Sequence, residues 1–480
     1  MALINQTKIL SIDQKKYAFE THHLLLCEIN EVYEACIKCI ENNQSIESLY
    51  PKFGKDSVDI VNQELQEFID AGIFFSQECN FYNYSKDNSV GCFSFPPQHN
   101  CNLACKYCFA EHGNNYVGAD KNFSNDTLEQ SFHFVCRELF PKLKKYRIDF
   151  VSGGEPLLNF DIIVKTVKLR NEYQESIGKP IEIFLATNAT LLTKEHLDFF
   201  DQNNINLGIS LDGDQSAHDS CRVYADNVGT YKQVLHSIED ILTDSTLSRR
   251  LKNIWSLSVL HAYNLDVVKI LQHHHCIGLR SVQMKIVRLD KNNPLSINER
   301  NIDELLSYYN SLTDAIIQEL HKGEKTLISM FLNDNDYFGK ILRRIMSRTP
   351  VIYRCGAGKN KISICANGDI YPCDSFAGND RFKMGNVFEP INENMMNKFY
   401  EYSIYTNNKC KDCWIRHICG GDCYYNSYLT NHKIEIPDDI ICYLNMNLAV
   451  MAFRVLIEVE KDEQLSQYFN RILITRPSTY

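Results

Sequence analysis

Cys101-Asn-Leu-Ala-Cys105-Lys-Tyr-Cys108 places three thiols at CxxxCxxC spacing, directly after the strand-like Phe93-Ser-Phe-Pro-Pro. Thiolates are the ligands that hold iron–sulfur clusters, and a [4Fe–4S] cube takes four of them. A loop that supplies three leaves one iron open to a small molecule that binds through nitrogen and oxygen. Zinc is the competing ligand for a cysteine-rich loop. Zinc loops show CxxC pairs, however, and no second pair lies near this triplet. A further eight cysteines fall between Cys355 and Cys442. They read Cys355-Gly-Ala-Gly, Gly368-Asp-Ile-Tyr-Pro-Cys373, then Cys410-x2-Cys413-x5-Cys419-x3-Cys423, and finally Cys442, with Cys365 between the first two. The chain has 19 cysteines, an odd number in a large protein with no export signal. Metal or cluster ligation accounts for that better than disulfides. The scattered cysteines, including the Cys36/Cys39 pair on an expected helix, read as small buried hydrophobes.

Other reactive types stand at the ends of expected strands. Ser152-Gly153-Gly154-Glu155-Pro156 combines glycines that admit close backbone approach with a carboxylate. Thr187-Asn188-Ala189-Thr190 offers an amide. Ser210-Leu211-Asp212-Gly213 puts a hydroxyl and a carboxylate two residues apart, on one side of a strand. Arg222 suits a carboxylate partner. His273, His274 and His275 are consecutive on an expected helix, so they point in different directions and do not converge on one ion.

Six strand-then-helix units would position these groups. Strands are expected at 93–97, 147–152, 181–187, 205–211, 254–260 and 281–287. Helices are expected at 125–140, 160–176, 193–203, 230–243 and 264–275. Such alternation implies a parallel sheet with crossover helices, and six units are too few for a closed eight-stranded barrel. Before them, short strands around Thr7-Lys-Ile-Leu-Ser-Ile, Tyr17-Ala-Phe-Glu and His23-Leu-Leu-Leu-Cys-Glu-Ile precede three helical patterns, capped in part by Asn30 and Ser45. Residues 76–91 read as a linker. An apolar helix at about 302–320 bridges to the cysteine-rich region. Hydrophobic residues make up 44% of the chain and charged ones 23%, which places it among ordinary globular proteins. The net charge of −10 argues against nucleic-acid binding. The first residues have no signal-peptide core, and Arg454 breaks the apolar run from Leu448 to Ile457. A cytoplasmic enzyme without membrane or nucleic-acid partners is expected.

The CxxxCxxC triplet followed by Phe109, with GGEP after the second strand, resembles the radical S-adenosylmethionine (SAM) superfamily. That resemblance implies a partial (β/α)6 barrel whose cluster, on Cys101, Cys105 and Cys108, is chelated by SAM and splits it to a 5′-deoxyadenosyl radical. Gly153, Gly154, Glu155, Asn188, Ser210, Asp212, Arg222 and Phe109 are the expected SAM contacts. The family usually has Gly where this chain has Ala189, which puts the local backbone in question. The later cysteines resemble the seven-cysteine SPASM domain. By that resemblance Cys355, Cys373 and Cys423 hold a first auxiliary [4Fe–4S] cluster, and Cys410, Cys413, Cys419 and Cys442 a second, three clusters in all. Some relatives supply a fourth thiol to the first auxiliary cluster where this chain has Lys361. Cys365 is the nearby substitute, and without it the cluster keeps an open iron. Asp374 corresponds to a general base of sulfatase-maturing relatives. The front of the chain resembles the winged-helix-like domain that grips the leader of ribosomally made peptides. The expected organisation is 1–85 for peptide recognition, 92–290 for the barrel, 291–350 for bridging helices, 351–445 for the SPASM domain and 446–480 for a C-terminal helix. The expected activity is a precursor-peptide maturase that forms Cys thioethers, fed by an electron donor such as flavodoxin or ferredoxin. The alternatives are a maturase making C–C or C–O cross-links, a formylglycine-forming sulfatase maturase, and a non-catalytic zinc scaffold.

Overall fold

The computed structural model describes residues 7–75, 90–111, 121–151, 153–243 and 254–475. Most of the expected linker, and Cys79, lie outside them. Six strands pair in parallel and in chain order: β4 (Val90–Ser94), β5 (Lys145–Phe150), β6 (Ile181–Thr187), β7 (Ile205–Ser210), β8 (Ile254–Leu260) and β9 (Val282–Ile286). Each falls within three residues of its expected start. One face of the sheet is apolar and lies under the crossover helices, whereas β5 and β9 alternate and turn Arg147, Asp149, Gln283 and Lys285 toward the cavity side. Phe93, Ile148, Ile183 and Ile209 are fully buried. β4 and β9 do not pair with each other, so the barrel stays open, the partial (β/α)6 form expected.

The helices follow their local signals. Thr193 and His196 close a capping box at the start of the Lys194–Gln202 helix. Gly178, at φ 64°, ends the Phe160–Ile177 helix. The expected helix at 125–140 is α-helical only over Asn125–His133 and continues as a π-helix over Phe134–Leu139. A periodicity argument cannot see that one-residue change in winding.

Two features of the C-terminal half differ from expectation. The sheet does not stop at β4. Strand β10 (Lys361–Ile364) pairs with β4 in parallel, and β11 (Asp369–Tyr371) and β12 (Gly385–Asn386) continue it antiparallel to nine strands. The cysteine-rich region is thereby fused to the barrel edge through backbone hydrogen bonds. The Asp439–Glu460 helix runs straight through the expected boundary at 445/446, so Cys442 and the C-terminal helix are one element. By length and composition this helix could cross a bilayer, despite Arg454. In the fold Leu444, Leu448, Phe453 and Val455 are fully buried, and it packs against the Ile302–His321 and Tyr337–Met346 helices. Arg454 pairs with Asp13 and Asp314 at 3.2 and 2.8 Å.

At the front, β1 (Thr7–Ile12), β2 (Lys15–Glu20) and β3 (Leu25–Ile29) form an antiparallel sheet. The Glu31–Glu41 and Lys55–Asp70 helices cover one face. Asn30 caps the first of these, donated to by the N–H groups of Val32 and Tyr33. Cys36 and Cys39 are buried, and Cys36 sits in that small core with Val58, Val61 and Leu65. On the sheet's other face Phe19 meets Phe453 and Trp414, with ring centroids 4.8 and 6.0 Å apart.

Candidate active site

The C-terminal ends of the strands open into a cavity of about 430 Å³. Its lining includes Cys101, Cys105 and Cys108 on one side and Cys355, Cys373 and Cys423 on the other. Two of the three cysteine groups thus face one space.

The first group is held from several directions. Ala104 N–H donates to the Val223 carbonyl at 2.7 Å and Lys106 N–H to that of Cys221 at 3.0 Å, so the loop lies along the segment after the Gln215–Cys221 helix. Asn188 Nδ2 donates to Asn102 Oδ1 at 2.9 Å and approaches Cys101 Sγ at 3.9 Å. Leu103 N–H donates to the same sulfur at 3.5 Å. Tyr107, inside the triplet, hydrogen-bonds Asp212 through its hydroxyl. As free thiols, Cys101 and Cys105 are pushed by burial up to about 11 and about 12.

Gly153 and Gly154 fit closely under this loop. A β-carbon on Gly154 would come within 1.9 Å of the Asn100 carbonyl oxygen, and one on Gly153, at φ 110°, within 2.5 Å of Pro96. Glu155 is buried and lines the cavity, with its carboxylate already held by protein donors. Its two oxygens accept from Thr187 Oγ1 at 2.6 Å, Asn188 N–H at 2.8 Å and Leu157 N–H at 3.1 Å. Burial raises it to about 7 against those donors. It ties the end of β5 to the end of β6. Ala189 takes φ 61°, so the left-handed turn that favours glycine is kept with a methyl group in place.

Ser210, Arg222, Asn188 and Phe109 line the cavity as expected, but Asp212 does not. Its carboxylate accepts from Tyr107, from Arg222 Nε at 3.1 Å and from Val259 N–H at 2.9 Å. Burial opposes its charge, and the Arg222 guanidinium nevertheless holds it below the usual carboxylate range. Strand alternation predicts a shared face for Ser210 and Asp212, but Asp212 lies beyond the end of β7, where alternation no longer applies. Arg222 spends Nε on Asp212, and its other nitrogens make no hydrogen bond among the described residues.

On the opposite wall Lys361, not Cys365, lines the cavity. Cys365 is fully buried in the hydrophobic core beside Tyr371 and Ile364 and does not line the cavity that Cys355, Cys373 and Cys423 line. Lys361 Nζ lies 3.6 Å from Asp374 Oδ2. Arg288, just past β9, donates to Ser375 Oγ at 2.8 Å, and the thiols of Cys423, Cys373 and Cys355 raise its affinity for its proton. Burial opposes ionisation of Cys355, but Lys359 and other cations around it leave it below the usual thiol range.

The third group, Cys410, Cys413, Cys419 and Cys442, lies apart from the cavity. Each feels the charge of Cys419 or belongs with it. Asn445 Nδ2 donates to Cys419 Sγ at 3.3 Å. The described cysteines are all free thiols. Among the described residues no three His, Cys, Asp or Glu side chains stand at the spacing of a single metal ion. Three groups of three or four thiols, with N–H donors at Cys101 and Cys419, fit iron–sulfur clusters. Tyr107, Lys285, Arg288 and Arg354 were not foreseen. Charged residues on or just after the last strand were the available signal for Lys285 and Arg288.

Residues 95–243 match the family model of the radical SAM superfamily, and residues 355–414 that of the iron–sulfur cluster-binding SPASM domain. The chain is 24% identical to the cysteine-type anaerobic sulfatase-maturating enzyme of Clostridium novyi over 371 residues, covering 72% of this chain and 91% of that enzyme. It is 22% identical to the radical SAM cyclopropyl synthase TigE of Paramaledivibacter caminithermalis over 471 residues, 92% and 93% of the two chains. Its fold is similar to that of native anSMEcpe with bound AdoMet, with a TM-score of 0.62 at 19% identity, covering 78% of this chain and all of that one. Against Streptococcus suis SuiB bound to S-adenosylmethionine the TM-score is 0.50 at 16% identity, covering 91% and 98%. The chain thus carries a radical SAM domain over residues 95–243 and a SPASM iron–sulfur domain over residues 355–414, behind the barrel.

Proposed function

We propose that this protein modifies a ribosomally made precursor peptide, joining a core residue into a cross-link, with a Cys thioether as the leading product. The observation that carries the reading is the single cavity shared by the Cys101, Cys105, Cys108 and Cys355, Cys373, Cys423 groups. Cys101, Cys105 and Cys108 would hold the SAM-binding cluster. Cys355, Cys373 and Cys423 would hold one auxiliary cluster, and Cys410, Cys413, Cys419 and Cys442 another. When bound, SAM and its cluster supply a carbon-centred radical able to take hydrogen from an unactivated carbon.

The chain's own groups bind and orient. Gly153 and Gly154 let backbone approach the ligand. Asn188 and Ser210 offer hydrogen bonds, Phe109 a wall, and Arg222 its outer nitrogens for a carboxylate. Glu155 and Asp212 are positioning residues: the first fixes two strand-end loops and the second orients Arg222 and Tyr107. Asp374 stands beside Cys373 to accept a proton during substrate oxidation. With Cys365 in the core, three thiols leave one cluster position for a donor from outside the protein, and a substrate cysteine suits it. The front domain, about 1–85, would grip the leader, the barrel and SPASM domain would span about 92–290 and 351–445, and flavodoxin or ferredoxin would supply electrons in the cytoplasm.

The match to the cyclopropyl synthase TigE spans 92% of this chain, most of the front domain included, which sets it apart from the shorter sulfatase-maturating matches. It favours carbon–carbon closure as a second product. Asp374 and the sulfatase-maturating relatives favour formylglycine formation, although those relatives leave more than a quarter of this chain uncovered. Anaerobic co-expression with a short peptide encoded beside the gene, followed by mass spectrometry and thiol alkylation, separates the three. A loss of two hydrogens with blocked cysteines is the expected result. The same loss with free thiols indicates a carbon–carbon or carbon–oxygen bond. No change in a preparation that cleaves SAM, with oxidation of a sulfatase peptide, overturns the proposal.

A further inference from the structure

Lys285 stands on β9, the last parallel strand, and lines the cavity. It is deep in the protein yet partly open to that space. Its ammonium makes no hydrogen bond and no ion pair among the described residues. Every neighbouring charge is already engaged. The carboxylate of Asp336 accepts from Met284 N–H and Gly339 N–H, both at 2.7 Å, capping the Tyr337–Met346 helix and tying it to β9. Lys361 faces Asp374, and Arg288 faces Ser375 and the nearby thiols. Arg354 donates to the Cys419 carbonyl at 3.4 Å and lies over the Tyr337 ring. Burial depresses the affinity of Lys285 for its proton and Arg288, Lys361 and Arg354 depress it further; only the Asp336 carboxylate, itself held by backbone donors, favours the ammonium, and it makes no ion pair with it.

An amine in this setting lacks an anion in direct contact, since Asp336 acts on it only at a distance. A buried cation without a partner is costly, and it loses its proton or recruits a counter-charge. The cavity is the route by which a counter-charge can arrive. We propose that Lys285 is the receptor for a substrate carboxylate, so that the peptide segment admitted to the cavity carries an acidic group beside the residue being modified. The proposal deepens the peptide reading above and names its substrate class. The carboxylate can belong to an Asp or Glu side chain or to a peptide C-terminus. Either would restore the charged ammonium and gain strength from the dry surroundings.

The test uses the anaerobically reconstituted full-length protein without turnover, so its outcome is independent of which bond the enzyme forms. Amine acylation at neutral pH is followed residue by residue by mass spectrometry. Lys285 is expected to react faster than surface lysines. Three probes are then compared at concentrations that saturate any effect: acetyl-Gly-Asp-Gly-amide, acetyl-Gly-Asn-Gly-amide and acetyl-Gly-Asn-Gly with a free C-terminus. Protection of Lys285 by the Asp probe alone assigns a side-chain carboxylate, and protection by the free-acid probe alone assigns a C-terminus. Equal protection by Asp and Asn amides, or none by either carboxylate, overturns the proposal. A dye-labelled Asp probe is expected to bind about tenfold more tightly than its Asn counterpart. Lys285→Met, with unchanged iron content, is expected to bring the two to parity, and a preference that survives this substitution also overturns it.

Discussion

The two thiol sets of the C-terminal domain differ in ways that composition does not reveal. Cys410, Cys413, Cys419 and Cys442 form a set of four, none of which lines the cavity at the strand ends. It is backed by the Asp439–Glu460 helix, which carries Cys442, and Trp414 beside it packs on Phe19 of the front sheet. Cys355, Cys373 and Cys423 form a set of three that faces the cavity, ringed by Lys361, Arg288 and Asp374. Closed metal sites contribute folding energy, and sites with a free position serve chemistry. On that contrast, and under the proposed function, the set of four would join the front domain, the barrel and the long helix, whereas the set of three would meet the substrate.

The contrast breaks most visibly at the ligands. Cys413→Ala is expected to cost about four irons per chain. It should also cost several kcal/mol of stability, because ligand binding and folding are linked there. Iron analysis and thermal unfolding measure both. Cys373→Ala should leave the melting temperature much closer to the parent and abolish peptide modification, while 5′-deoxyadenosine formation from SAM continues. Loss of SAM cleavage in that variant would mean that the two cavity-facing groups act as one unit.

The junction of the front domain with the closed set comes next. Phe19→Ala removes a fully buried ring between Trp414 and Phe453, and about 3–5 kcal/mol of local packing goes with it. Limited proteolysis should release residues 7–75 before the barrel is cut. His22 shares this junction, 4.7 Å from the His417 ring and 3.3 Å from Arg416 Nη2. Burial, with Arg416 beside it, lowers His22 to about 4, below its unfolded value of 6.5. A lowered imidazole binds fewer protons folded than unfolded. Its stabilisation is therefore complete above about pH 6.5 and is lost as the pH falls toward about 4. His22→Gln should narrow the drop in melting temperature between pH 7 and pH 5.

The barrel was legible because strands such as Ile181–Thr187 are short apolar runs separated by amphipathic helices, a pattern that period and length resolve. The cysteine groups were legible because ligand spacing is a local property. What escaped was set by distant neighbours. Nothing near Lys361 states that it continues the barrel sheet beside Cys92. Asp212 sits on the expected strand face by alternation, yet Tyr107, 105 residues earlier, claims its carboxylate. Cys365 has the right residue type and nearly the right position, and only the β10–β11 hairpin turns it into the core.

The smallest effect sharpens the contrast without touching a ligand. Asn445 is buried on the Asp439–Glu460 helix, one turn from Cys442, and donates to Cys419 Sγ. Its Oδ1 has no hydrogen-bond partner among the described residues. Asn445→Leu removes a donor to a thiolate and also an unsatisfied carbonyl, two changes of opposite sign. The net stability change should stay within about 1 kcal/mol. The reduction potential should respond more clearly. A donor to a cluster sulfur eases electron uptake, so its loss should shift one auxiliary signal to lower potential in a spectroscopic redox titration and leave the other in place. A shift in the signal that also responds to substrate, and not in its partner, would exchange the roles assigned to the two sets.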